Sequence, residues 1–232
     1  MDNTRTPVLY IVGNYNIDLV MGTLPHWPAQ GTEMMLEHSA LRPGGSAGNC
    51  ALAAAAMQLP HCAVGCQGDD AFTPWLAAQF PGDSARWPQY PCETSLTVAV
   101  THPNKERSFL SNHGHITRLT AGDVLDQLPA AAGEGDIVLL CGTFLCTRLL
   151  SDYPQLLATL RQRGFTLAVD TGWPPQGWSD PLRHEVDRWL GDCDWLLLND
   201  VETQQLAARP TLAEAAAALA ARLSGSGGCV VK

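Results

Sequence analysis

The sequence predicts an α/β fold: a mostly parallel central sheet covered by helices on both faces, in three layers, with a small β lid. Three observations predict it. Apolar runs of strand length alternate with helix-like stretches along the chain. Polar residues or glycines close the carboxyl ends of those runs. Two stretches, Asp18–Leu41 and Glu93–Leu119, break the rhythm. Repeated strand, helix, strand order means parallel strands buried on both faces.

Each element has its own signal. Val8–Val12 is a buried strand that ends at Gly13, and Asn49–Leu59 is Ala-rich and helical by propensity. Cys62–Gly65 reads as a strand, and Phe72–Phe80 as a helix that Asp69 or Asp70 caps. Ser95–Val100 and Arg107–Leu110 are β-prone and pair across Pro103-Asn104-Lys105. Ile137–Cys141 is a fully buried strand, and Tyr153–Arg163 is a helix with its charges on one side. Thr166–Val169 is a strand closing on Asp170, and Trp195–Leu198 one closing on Asn199. Leu212–Leu223 is helical, Ser224–Gly228 makes a short flexible turn, and Cys229–Lys232 starts another strand. Residues 1–232 read as one domain, with a lid formed by about 15–41 and 93–119. Val230 and Val231 read as strand interior with no turn or helix after them, so the expected domain is C-terminally incomplete.

Composition excludes several classes. With 46% hydrophobic and 16% charged residues the chain can build a core and is not disordered. The balance of 14 basic against 23 acidic residues gives −9, with no basic run, a poor match for a nucleic-acid backbone or an anionic membrane. No apolar segment is long enough to cross a bilayer, and Val8–Val12 is too short for a signal peptide. Eight cysteines sit largely within apolar runs, without a second pair at zinc-ligand spacing, and read as buried thiols in a reducing cytoplasm.

Ligands of parallel sheets bind outside the carboxyl ends of the strands. Asn14, Asn16, Asp18, Gly142, Thr143, Asp170 and Asn199 close strands there and are the informative polar positions. The strongest cluster is Pro43-Gly44-Gly45-Ser46-Ala47-Gly48-Asn49, which runs into the Ala-rich helix. Glycines let backbone approach a ligand, and a helix N-terminus offers free N–H groups. The cluster is neither a Walker A loop nor G-x-G-x-x-G, and alone it also reads as a tight turn.

Gly44 to Asn49, then Ala51 to Ala56, Gly65 and Gly68-Asp69-Asp70-Ala71-Phe72, resembles the N-terminal signature of ribokinase-like (PfkB-type) carbohydrate kinases. Three further matches follow the family order: Gly13-x-x-x-x-Asp18; Glu106-Arg107-Ser108-Phe109 with Gly114; and Asn199-x-x-Glu202. The resemblance implies a ribokinase-like fold. It also implies an ATP-dependent phosphotransferase that moves the γ-phosphoryl to a hydroxyl of a sugar or nucleoside. By the resemblance, Asn16 and Asp18 bond sugar hydroxyls, and Gly44, Gly45 and Asn49 line the same pocket. Asn199 and Glu202 lie near the phosphates, Glu202 placing Mg²⁺ through water, and Lys232 leads into the nucleotide site. A homodimer through the lid stays open.

Each position has a plainer reading: Asp18 as a turn residue, Glu202 as a first-turn acid on the helix dipole, Trp27 and the other tryptophans as core or rim, His113 and His115 as an exposed polar turn. The sequence departs from the family at Ser46, where many members carry Lys, and at Thr73-Pro74, where a Gly often follows Phe72. The family's Gly-Ala-Gly-Asp, whose Asp is the general base, does not occur; Asp170-Thr171-Gly172 precedes Asn199-x-x-Glu202 and is a decoy. The resemblance therefore puts the base beyond Lys232. Two other readings stay open: an inactive sugar- or nucleoside-binding protein, and a truncated remnant with exposed apolar surface. The intact mass of the protein from its natural source checks the expected continuation. A mass well above 24.9 kDa is expected, and a match to 24.9 kDa would remove that expectation.

Overall fold

Runs that are apolar at consecutive positions make strands buried on both faces, and here they separate two cores. A computed structural model describes residues 5–224 and 227–232. In chain order, the first elements are β1 (Leu9–Gly13), β2 (Asn16–Gly22), β3 (His38–Gly44), α1 (Ser46–Ala56), β4 (His61–Val64) and α2 (Thr73–Ala77). Then come β5 (Leu96–Thr101), β6 (Arg107–Ser111), α3 (Ala121–Gln127), β7 (Ile137–Cys141), α4 (Thr147–Ser151) and α5 (Tyr153–Gln162). The last are β8 (Thr166–Asp170), α6 (Asp180–Leu190), β9 (Trp195–Leu198), α7 (Asp200–Ala207), α8 (Leu212–Ala220) and β10 (Gly228–Val231).

Six strands form a parallel sheet in the order β10-β9-β8-β7-β1-β4. Alternate residues face opposite layers. Tyr10, Val12, Val138, Leu140, Leu167, Val169, Leu196 and Leu198 enter the larger core, with Leu156, Leu157 and Leu160 of α5 and Val186 and Trp189 of α6. Ile11, Ala63, Leu139, Cys141 and Ala168 enter the smaller core beneath α1, with Leu76 of α2. At the β9–β10 end the side facing the smaller core is thinly covered: Trp195 and Val230 are 40% and 43% exposed. The second sheet, β3-β2-β5-β6, pairs β2 with β3 and β5 with β6 antiparallel, and β2 with β5 parallel. Pro43, which has no N–H to give a ladder, sits in the edge strand β3. The predicted ribokinase-like α/β architecture with its small β sheet is the architecture observed. Among the described residues no helix is long and apolar enough to cross a membrane.

Several boundaries differ from expectation. The Ala-rich helix starts at Ser46, because Gly45 adopts φ 85° and turns the chain straight into it, and it stops at Ala56. The expected helix Phe72–Phe80 shrinks to Thr73–Ala77 and has no side-chain cap. Helix α6 had no counterpart in the sequence reading, although Ser179 caps it and Val186, Trp189 and Leu190 share its buried stripe. Of the expected turn at 224–228, residues 225 and 226 lie outside the described residues.

One buried carboxylate ties the start of β1 to that of β7. Asp136 accepts hydrogen bonds from Val8 N at 2.9 Å, Gly133 N at 2.9 Å and Arg5 at 3.0 Å. Burial alone would raise its pKa, but these donors hold it below the ordinary carboxylate value. A depressed acid contributes stability that is full above the usual carboxylate range and is lost as pH falls through it. Asp136→Ala leaves two backbone N–H groups unpaired and is expected to cost about 2–4 kcal/mol at pH 7. The deficit narrows in acid. Chemical denaturation at pH 7 and pH 4 checks both the size and the pH trend.

Candidate functional site

The chain runs from β1 out to β4 on one side, then through β7, β8, β9 and β10 on the other. The order therefore switches between β1 and β7, the crevice where open parallel sheets bind ligands. At their carboxyl ends the two strands come closer than side chains allow. A Cβ on Gly13 would lie 2.1 Å from Cys141 O, and one on Gly142 would lie 2.2 Å from Asn14 Oδ1. Buried Asn14 occupies this junction and serves the start of α1: its Oδ1 accepts from Ser46 N at 3.2 Å and its backbone O from Gly48 N at 3.3 Å. Gly45 closes the corner, since a Cβ there would lie 2.4 Å from Asn16 Oδ1.

The small sheet carries the next residues. Asn16 pairs with Gly44, and Asp18 with Arg42 on one side and Thr97 on the other. Residues in register share a face, so Asn16, Asp18, Arg42, Thr97, Phe109 and Ser111 lie on one side of this sheet. Asn16 Nδ2 donates to Asp18 Oδ1 at 2.8 Å, and the Asp18 carboxyl fills the space a Gly44 side chain would take, 2.2 Å from that Cβ position. Burial raises the Asp18 pKa above the usual value, while Asn16 and the charge of Arg107 pull the other way. Asn16, Asp18, Gly44 and Gly45 are thus brought together beside Asn14. Asn49, in the first turns of α1, is exposed.

Further along the carboxyl edge of the six-stranded sheet stand Asp170 as the last residue of β8, Asn199 after β9 and Lys232 after β10. The Lys232 ammonium crosses the end of β9 to contact Asp170 Oδ2, and its backbone N–H donates to Leu198 O at 2.9 Å. Burial works against its charge, but Asp170 first, and Glu202 and Cys141 farther off, hold the Lys232 pKa above that of ordinary lysine. Asn199 and Glu202 form a reciprocal capping box on α7: Asn199 Oδ1 accepts from Glu202 N at 2.7 Å, and Glu202 Oε2 from Asn199 N at 3.0 Å. Among the described residues no group of three acidic, His or Cys side chains forms a metal cage. The donor set fits Mg²⁺ held largely by water and phosphate oxygens, with the second Glu202 oxygen as an outer acceptor.

Other candidates take structural places. Asp70 does not cap α2; it fastens the start of β5, accepting from Thr94 N at 2.8 Å and Thr94 Oγ1 at 2.6 Å. His115 is fully buried rather than in an exposed turn. It accepts from Ser95 N at 2.9 Å, lies 3.0 Å from Tyr15 O, and is pushed by burial to a pKa of about 4. Neutral His115 thus accepts at Nδ1 and donates at Nε2, tying the end of the small sheet to the β1–β2 connection. His113 is exposed, as is Trp27, whose ring stands 6.1 Å from that of His102. Thr143 bonds Tyr153 in the core. The sequence reading missed two contacts at the site, Lys232 with Asp170 and Cys50 with Cys141, because each joins residues far apart in the chain. Two surface cavities, of about 390 and 430 Å³, are lined by other residues, Arg118 and Arg148 in the first and Gln204 and Arg209 in the second.

A family model described as pfkB family carbohydrate kinase matches residues 8–231. The structure of an Arabidopsis thaliana ribokinase complexed with ribose and ATP superposes with a TM-score of 0.71 at 19% identity, over 98% of this chain and 72% of that one. A Xylella fastidiosa fructokinase with bound ATP gives 0.71 at 17% identity, over 95% and 71%. A Thermotoga maritima ribokinase gives 0.69 at 17% identity, over 98% and 72%. No curated protein sequence matches the chain.

The environment of Asp18 makes a prediction about stability. An acid whose folded pKa is raised costs stability once pH exceeds that pKa, because the charged form is worse off folded than unfolded. Asp18→Asn keeps an acceptor for Asn16 and removes the charge. Its melting temperature at pH 7 is expected to equal or slightly exceed that of the parent, and the difference to vanish in acid. A fall of several degrees at pH 7 would contradict the assigned environment.

Proposed function

The chain belongs to the pfkB family of carbohydrate kinases, and from that premise we propose that it acts as an ATP-dependent phosphotransferase on a hydroxyl of a sugar or nucleoside. The observation that carries this reading is the Asn16–Asp18 pair of the small sheet, set against Gly44 and Gly45 at the start of α1, with Lys232 and Glu202 at the carboxyl edge of the six-stranded sheet. A carboxylate accepts two neighbouring hydroxyl protons, and a carboxamide both gives and accepts. Asp18, steadied by Asn16, binds the acceptor's hydroxyls, bare Gly44 and Gly45 leave room for its ring, and Asn49 reaches it from α1.

Asn199, Glu202 and Lys232 serve the nucleotide side. Lys232 brings positive charge toward the phosphates, and Glu202 orients the water shell of Mg²⁺, which offsets charge on the phosphate oxygens when bound. ATP as donor is consistent with the ATP that the Arabidopsis ribokinase and Xylella fructokinase structures contain. Cytoplasmic location and small-molecule partners, with neither nucleic acid nor membrane, go with the −9 charge and free thiols. The face of the small sheet opposite Asp18 carries Leu41, Leu19, Val98 and Leu110 in one register row, an apolar strip suited to a homodimer through the lid.

Thermal melting with a panel of pentoses, hexoses and nucleosides, with and without ATP and Mg²⁺, tests the reading. A binding sugar at a hundredfold excess over its Kd stabilises by about 2.7 kcal/mol. That is a rise of roughly 5–10 °C for a chain of this size. Asp18→Ala is expected to abolish the sugar response while keeping any ATP response. No response to any sugar or nucleoside, or an undiminished one in Asp18→Ala, would overturn the assignment.

A further inference from the structure

Cys50 follows Asn49 on α1, and Cys141 is the last residue of β7; their sulfurs stand 3.9 Å apart. Cys50 is half-buried and Cys141 buried. A disulfide needs a sulfur separation of about 2.05 Å. The remaining approach asks for a shift of α1, whose own buried side chains are small: Ala47 stands against Gly13, and Gly48, Ala51 and Ala54 complete the buried face.

The other six cysteines differ. Burial raises the pKa of Cys66, Cys92, Cys146, Cys193 and Cys229, and of Cys62 despite its Arg86 neighbour. Cys50 is the exception. The hydrogen bond donated by Cys141 Sγ lowers it to about 7, against burial and the charge of Asp170 and with help from Lys232. A thiolate at that position is the nucleophilic form.

We propose that Cys50 and Cys141 are a peroxide-sensitive modification site whose disulfide pins α1 to the end of β7 and distorts the adjoining sugar pocket. The Cys50 thiolate attacks one oxygen of hydrogen peroxide, the O–O bond breaks, and hydroxide leaves to take up a proton as water. Cys141 then attacks the resulting sulfenic sulfur; its proton passes to the departing hydroxide, and the S–S bond forms. Two thiols are oxidised by two electrons, and one peroxide is reduced to two waters. Formation of the bond is independent of the proposed function; its effect on sugar binding rests on it.

The reduced full chain is treated with increasing hydrogen peroxide, remaining thiols are alkylated, and the digest is mapped by mass spectrometry without reduction. A linked Cys50–Cys141 peptide, lighter by two hydrogens and reversed by dithiothreitol, is expected before any other cysteine oxidises. Cys141→Ser is expected to leave a sulfenic acid on Cys50 that dimedone captures, and Cys50→Ser to leave Cys141 unmodified. Prior oxidation of Cys92 or Cys229, or free Cys50 and Cys141 after the others have reacted, overturns the site. A linked protein whose melting response to sugar equals that of the reduced form overturns the coupling to the pocket. Absence of any sugar response in the reduced protein counts against the proposed function alone.

Discussion

The near-contact of backbone at the carboxyl ends of β1 and β7 is the constraint on which the rest of the site depends. Gly13 and Gly142 have no side chains because Cys141 O and Asn14 Oδ1 occupy that space. Once the two ends meet, Asn14 is buried between them, and a buried carboxamide must find partners. Its Oδ1 accepts from Ser46 N and its Nδ2 donates to Asn16 Oδ1, while the Asn14 backbone O accepts from Gly48 N; both backbone N–H groups are donors left free by the first turn of α1. One junction thus sets where α1 begins, where Gly44 and Gly45 turn, and where Asp18 lies in the notch that Gly44 leaves. A side chain at any of these glycines would separate strands or displace the Asp18 carboxylate or an asparagine carboxamide.

Charge is handled sparingly along the edge. The chain carries a net −9, yet the carboxylates at the site are all engaged: Asp18 by Asn16, Asp170 by Lys232, Glu202 by Asn199 N. Lys232 is a cation drawn toward several acids at once, and it bridges the ends of β8 and β10 over the end of β9. Those acids hold the Lys232 ammonium protonated at this edge.

How much was legible in the sequence follows from the range of each interaction. Strands such as Ile137–Cys141 and Trp195–Leu198 were read to the residue, because a fully buried parallel strand writes itself as an apolar run. Asn16, Asp18 and Gly44 fall close together because they sit on consecutive strands of one small sheet, and Gly45 follows directly as the N-cap of α1. Strand β3 was hidden because its exposed edge, His38–Gly44, has no apolar alternation and contains a proline. Helix α6 was hidden behind Pro174, Pro175, Gly177 and Pro181, which mask a stripe of only three buried residues. His115 was misjudged because a polar string, Ser111 to His115, drops into the core at its last member. Contacts that close over tens of residues, Lys232 with Asp170 or Cys50 with Cys141, leave no local pattern to read.

The two helical layers are held unequally. Helices α5 and α6 lean on leucines, Tyr153 and Trp189, whereas α1 lies on Ala47, Gly48, Ala51 and Ala54. Alanine removes far less apolar surface from water than leucine or tryptophan, so the side chains of α1 itself contribute little to holding it down. Amide hydrogens of the first turns of α1 should therefore exchange through local opening, at a small fraction of the free energy that protects α5. The layer beside Asn14 and Gly45 is the one that can loosen while the rest of the molecule keeps its shape.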